Sequence, residues 1–194
     1  DEWSDATKIQ AQTAAAIKST GGAAHVTQDH LEGLAGKLMK VSGTDDEVIQ
    51  SGENILLTFT NVRNEVGKGN DIFDQATKAG LDMATALGMD APKAAMQLGK
   101  ALNDPVKGMT KLTKQGVTFT DSQKKAAEAM VKSGNVAGAQ KIILGELTKE
   151  FGGSAEAAGK TLPGQIAIAK QSFSNLAGEI VANLVPIIVK MTEK

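Results

Sequence analysis

Cysteine is absent from all 194 residues, which excludes disulfide staples and thiolate metal sites and leaves the chain able to unfold and refold without redox chemistry. Aromatic residues are nearly as scarce, with one Trp, no Tyr and five Phe, so large buried anchors are few and the core must be built from Leu, Ile, Val, Met and Ala. A fully buried aliphatic side chain contributes roughly 1.5–3 kcal/mol, and such a core predicts modest stability. Basic residues number 21, but Arg63 is the only arginine, and the net charge is −1. A nucleic-acid binder needs a basic excess and arginine forks for phosphates and guanine edges, so sequence-specific nucleic-acid binding is not expected. The chain begins at Asp1 with neither a basic start nor an apolar run, so no signal peptide is visible and it reads as an excerpt of a longer polypeptide.

What is present is helix punctuation. A hydrophobic content of 41% is enough for a buried core. Thr44-Asp45-Asp46-Glu47 and Thr120-Asp121-Ser122-Gln123 have the spacing of reciprocal capping boxes. Thr27, Asn70, Asp90, Asp104 and Asn135 are further N-cap candidates, and Pro105 suits the first helical position after Asp104. Gly21-Gly22, Gly43, Gly67, Gly69, Gly88, Gly116, Gly134 and Gly152-Gly153 mark the stops. Between them apolar residues recur at helical spacing, as in Leu31, Leu34, Leu38 and Val41, or Ile72, Ala76, Ala79, Met83 and Leu87. The one alternating run, Val117-Thr118-Phe119-Thr120, ends in a capping box and reads as a loop that drops Phe119 into the core. The expected class is all-α, a compact multi-helical bundle or helical array of about eight or nine helices closed by a long C-terminal one. Residues 1–194 read as one module, with a possible hinge at Gly67-Lys68-Gly69-Asn70.

The last segment carries a different pattern. Ile166, Phe173, Ile180 and Ile187 recur every seven residues, with Ala169, Leu176 and Leu184 between them. Asn183 and Lys190 break the second heptad position, and Pro186 predicts a kink one turn earlier. Ile166, Phe173, Leu176, Ile180, Leu184 and Ile187 are therefore the candidate interaction seam, either packed on the bundle or offered to another chain. The uncharged run from Ile180 to Val189 is about half of what a bilayer requires, so no transmembrane span is expected.

Chemistry is harder to find. Gly159-Lys160-Thr161 lacks the glycine spacing of a phosphate loop, and Pro163 interrupts the helix that would bind phosphate. His25 and His30 are the only histidines, and their five-residue spacing does not put both rings on one helix face. No Gly-x-Ser-x-Gly elbow and no Glu-Ser pair occurs. No catalytic residue, metal ligand or cofactor is assigned. Asp45, Asp46, Glu47 and Asp71 read as helix N-terminal carboxylates.

The run Leu98-Gly99-Lys100-Ala101-Leu102-Asn103-Asp104-Pro105, followed by Gly116-Val117-Thr118-Phe119-Thr120 and Gln140-Lys141-Ile142-Ile143-Leu144, resembles the tail tape measure proteins of long-tailed bacteriophages. Asn54-Ile55-Leu56-Leu57-Thr58-Phe59-Thr60-Asn61, Leu81 to Gly88, Ser133 to Gln140 and Glu150 to Ala155 extend the resemblance in order along the chain. It implies a virion component in the tail lumen, assembled in the host cytoplasm. Such a component sets tail length and leaves ahead of the genome to aid its passage across the host envelope. The partners implied are tail tube and tail-tip proteins. The missing disulfides, few aromatics, helix breakers and apolar C-terminal seam add the expectation that this module docks to a host inner-membrane protein after ejection, with a purely architectural module that binds only tail-tip or tube proteins as the alternative. A peptidoglycan-cleaving domain and a membrane-active bundle are the competing readings, and no catalytic pattern of the first is present.

A ruler needs a constant rise, and an unbroken helix of this length would span roughly 290 Å. Glycines and prolines interrupt the sequence too often for that, and a compact fold would have a radius of gyration of roughly 16 Å. The expectation is a folded module of a longer protein, outside its measuring segment.

Overall fold

The computed structural model describes the backbone of residues 2–192 and the side chains of residues 5–183. The helices, in chain order, are α1 (Glu2–Ser19), α2 (Gln28–Ser42), α3 (Asp46–Leu57), α4 (Ile72–Leu87), α5 (Ala91–Asn103), α6 (Pro105–Thr113), α7 (Asp121–Lys132), α8 (Val136–Phe151), α9 (Ser154–Gly159) and α10 (Leu162–Thr192). Nine of these have nine or more residues, α9 is a six-residue turn, and no strand occurs among the described residues. The all-α class and the long last helix are as the sequence predicts. Among the described residues an isolated antiparallel bridge, Asn64 to Asp71, closes the Gly67–Asn70 turn.

Helix α4 is the centre of the bundle. Ile72, Phe73, Ala76, Thr77, Ala79, Gly80, Leu81, Asp82, Met83 and Ala84 are all buried, which covers nearly every face of the helix. A helix apolar all round must be surrounded, and α3, α5, α8 and α9 pack against it. One cluster joins Leu31, Leu56, Phe73, Leu98, Leu112, Phe119 and Ile143, so buried contacts run across the Gly67–Asn70 turn. A smaller cluster of Ala35, Leu38, Met39, Ile49, Leu81 and Ala155 lies under α9. Small residues set the spacing elsewhere. The Phe59 ring lies against Gly99, and α6 crosses α5 with Gly108 on the Ala101 backbone, so a methyl group at either glycine would collide.

Many predicted caps are in place. Thr27 accepts from the His30 N–H, Asp104 from Lys107, Asn135 from Gly138, and Thr120 with Gln123 forms the reciprocal box. Gly43 ends α2 in the left-handed conformation at φ 73°, where a side chain would be strained. Phe119 is buried from an irregular loop, as expected.

Two caps differ. At α3 the cap is Asp45, not Thr44, because the Asp45 carboxylate accepts from both Glu47 and Val48. At α4 Asn70 does not cap, and its neighbour Asp71 makes no side-chain cap bond. The Asn64 side-chain oxygen Oδ1 reaches across from the preceding loop to accept from Phe73 N–H at 2.9 Å and Asp74 N–H at 3.4 Å. Asp82 on α4 does the same for α9, accepting from Ala155 N–H at 2.9 Å. Val41 and Leu87, predicted on apolar faces, are exposed at the last turns of their helices.

Candidate interaction surface

Thr161 starts α10, its hydroxyl oxygen accepting from Gly164 N–H at 3.2 Å. Lys160, beside it, pairs with Glu156 at 2.7 Å. The Gly-Lys-Thr triplet is thus a helix start. The first turns of α10 are clamped by close backbone approach. Gly164 lies against Gly159 and the Ala158 carbonyl, and Gly159 against the Val41 carbonyl, all places where a methyl group would collide.

Farther along, α10 packs against α1, α2 and α9 with an unusual face. The residues turned inward are Gly164, Ala167, Ile168, Gln171, Ser174, Asn175 and Gly178, a mostly small and polar stripe. The apolar seam points the other way. Ile166 is 61% exposed, Phe173 75%, Leu176 55% and Ile180 52%, and Leu162 at 75% extends the stripe. Leu184, Pro186 and Ile187 lie outside the described side chains. Large apolar side chains exposed along one helix face form the kind of patch that marks an interaction site. No helix among the described residues is long and apolar enough to cross a membrane.

Beneath the inward stripe is a cavity of about 340 Å³. Its wall includes four carboxylates, Glu32, Asp46, Glu47 and Glu179, and no Lys, Arg or His. Asn175 spans it, its amide donating to both Asp46 oxygens at 3.1 and 3.0 Å. Glu47 Oε2 is buried without a hydrogen-bond partner. Burial, a hydrogen bond with Asp45 and the charge of Asp46 push the Glu47 carboxyl up to about 8. Asp45, Asp46 and Glu47 come within 4.8 Å of one another, but Asp45 caps α3 and Asp46 holds Asn175. The grouping does not by itself make a metal centre.

The histidines are apart from all this. His30 pairs with Asp74 at 2.8 Å, and His25 Nδ1 lies 2.9 Å from the Asn64 carbonyl oxygen. A second cavity, about 290 Å³, is lined by Asn61, Arg63, Asn135 and Gln140 among others. Gln140 is buried and its amide donates to the Asn61 and Leu102 carbonyls at 2.7 and 3.0 Å, tying α8 to the ends of two other segments.

Sequence reasoning missed the acid-walled cavity, whose four carboxylates come from three helices, and it missed Glu53. Glu53 is 1% exposed and neither carboxyl oxygen has a partner. Burial and the nearby charge of Asp74 push it up to about 9, so it is protonated at neutral pH. A signal was available, since Glu53 occupies the same helix face as Ile49, Gly52 and Leu56.

No curated protein and no solved structure matches the chain. A family model for the prophage tail length tape measure protein matches residues 3–126, from α1 into α7 and including the Leu98–Pro105 and Gly116–Thr120 motifs. With most of its length matched, the chain belongs to the prophage tail length tape measure family, a structural component of the phage tail.

Proposed function

We propose that this chain is a folded, non-enzymatic module of a longer tape measure protein, and that it docks on another protein through the outward stripe of α10. The observation that carries the reading is the inversion of that helix: Ile166, Phe173, Leu176 and Ile180 face solvent, while the face toward the bundle holds, beside Ala167 and Ile168, only glycine, serine and amide side chains. A helix that closed a core would be turned the other way. The whole of residues 1–194 is read as one unit, since buried contacts run across the Gly67–Asn70 turn.

The partner we assign to the stripe is a host inner-membrane protein met after ejection, the module having travelled through the tail tube loosely folded. The missing disulfides, scarce aromatics and partnerless Glu53 favour easy unfolding on the way. Crosslinking with the purified chain as bait, against solubilised host inner membranes and against assembled tail proteins in parallel, tests this. Enrichment of one membrane protein, lost with Phe173→Asp, supports docking after ejection. Enrichment of tail tube or tail-tip proteins alone makes the module architectural within the virion and removes the membrane step.

Glu47 favours one second reading, a peptidoglycan-cleaving site, because a carboxyl raised by burial at a cavity is what a glycosidase acid needs. Incubation with cell walls decides it: unchanged turbidity retires the enzyme, and a loss of turbidity abolished by Glu47→Gln establishes it.

A further inference from the structure

Separately from the α10 stripe, we propose that the lysine-bearing outer faces of α5, α6 and α7 dock on a second copy of this chain, against the acidic mouth under its α10. The net charge of −1 conceals a segregation. Residues 1–90 hold 14 acidic and seven basic side chains, whereas residues 91–149 hold ten lysines and four acids. Folding turns that difference along the sequence into a difference between two surfaces.

The basic surface is built from three consecutive helices. On α5, Lys93 and Lys100 stand seven residues apart, opposite the buried Ala94, Leu98 and Ala101. On α6, Lys107, Lys111 and the C-cap residue Lys114 lie opposite Gly108, Met109 and Leu112, and on α7 Lys125 and Lys132 lie opposite Ala127. Because α5 packs on α6 and α6 on α7, the three stripes adjoin. Lys107 is taken by Asp104 at 3.2 Å, but the other six lysines have no carboxylate partner among the described residues. Of the remaining acids in this segment, Glu146 is buried and bound by Gln123 and Lys149, which leaves Asp121 and Glu128 alone to oppose them.

The acidic surface has the converse character. Glu32, Asp46 and Glu179 line the cavity under α10, and an adjoining cavity adds Asp5 and Asp45, with no Lys, Arg or His in either wall. The groups that do meet Asp45 and Asp46, backbone N–H of α3 and the Asn175 amide, carry no full charge. Each surface is therefore of one sign, and each attracts its opposite. They cannot meet within one chain: α3 has α1 and α2 on one side and α5 on the other, and α10 packs on α1, α2 and α9. A second copy supplies what the first cannot reach. The face also lacks the planar donor forks that suit phosphate, since Arg63 is the only arginine and lies outside it, whereas ammonium groups pair readily with scattered carboxylates. The contact is heterologous, with each copy giving its lysine face to one neighbour and its acidic mouth to another.

Sedimentation velocity of the 194-residue chain at high micromolar concentration tests this. The expected result is a species of two or more copies in about 20 mM salt and a single 20.1 kDa species in about 500 mM, where charges are screened within a few ångströms. Lys111→Glu with Lys114→Glu is monomeric at low salt, and so is Asp5→Lys with Glu179→Lys, all four positions being exposed. Mixed in equal amounts the two variants associate again, because the intact mouth of one meets the intact lysine face of the other. Phe173→Asp associates like the parent, which separates this contact from the α10 stripe. The proposal is overturned if the parent is monomeric at low salt, if its association survives high salt, or if the mixture stays monomeric. A parent that stays monomeric while its lysine face captures duplex DNA also overturns it, and assigns the face to a phosphate polymer instead.

Discussion

Phe73 and Phe173 are the same side chain in opposite circumstances. Phe73 is fully buried near the start of α4, whereas Phe173 is 75% exposed on α10. Around Phe73 the polar groups are turned to structural use: Asn64 caps the helix from the loop, Asp82 caps α9 and Gln140 bridges two carbonyls. Around Phe173 the usual polarity is reversed, with a mostly small and polar stripe packed inward and Ile166, Phe173, Leu176 and Ile180 outside. The central helices obey the rule that apolar faces make the core, and α10 obeys it only if something else supplies the other half of its contact.

The largest expected effect tests the interior side of this contrast. Phe73→Ala should cost about 3–5 kcal/mol in urea unfolding, the range for emptying a packed aromatic site. A loss below about 1 kcal/mol would mean that α4 is not the centre of the fold. Next is Glu53→Met, which replaces a partnerless buried carboxyl with an apolar chain of similar size. The folded carboxyl stands at about 9 against 4.5 in the open chain. Its contribution to stability is therefore complete below pH 4.5 and is lost as pH rises toward 9. Glu53→Met should gain about 3 kcal/mol at pH 7 and remove the downward slope between pH 5 and 8. A gain that does not vary with pH would show that the carboxyl is solvated.

Thr120→Ala removes the reciprocal cap of α7 and should cost about 1 kcal/mol, measured by the same unfolding curves. Smallest is Phe173→Asp, expected to change stability by no more than about 0.5 kcal/mol while abolishing partner capture. If Phe173→Asp destabilises the chain as Phe73→Ala does, the two phenylalanines are not different in kind and the stripe is part of the core.

Local signals were legible and distant ones were not. Thr27, Asp104, Thr120 and Asn135 cap helices within three residues of themselves, so their role is written in adjacent letters. Asn64 and Asp82 perform the same task across a loop or between helices, which no spacing rule reports. The displacement of the α3 cap from Thr44 to Asp45 is a competition between adjacent polar side chains, decided by the backbone path into the helix. The seam on α10 shows a further limit. Heptad spacing tells which side chains share a face, and Ile166, Phe173 and Ile180 do share one. It does not tell whether that face turns inward or outward. The acid-walled cavity was invisible for a related reason, since Glu32, Asp46 and Glu179 stand far apart in sequence and meet only when α10 lies down on α2 and α3.

The cavity has walls from Ala6, Thr7 and Gln10 near one end of the chain and from Ser174 to Ala182 near the other. The start of α1 and the distal part of α10 thus share one wall. Unravelled, residues 6–182 would span on the order of 600 Å of extended chain, and folding brings the two ends of that stretch together across one small cavity. For a protein whose family is defined by length, the folded state conceals almost all of it. Tension along the chain would peel α1 and α10 apart from one point instead of shearing them past each other.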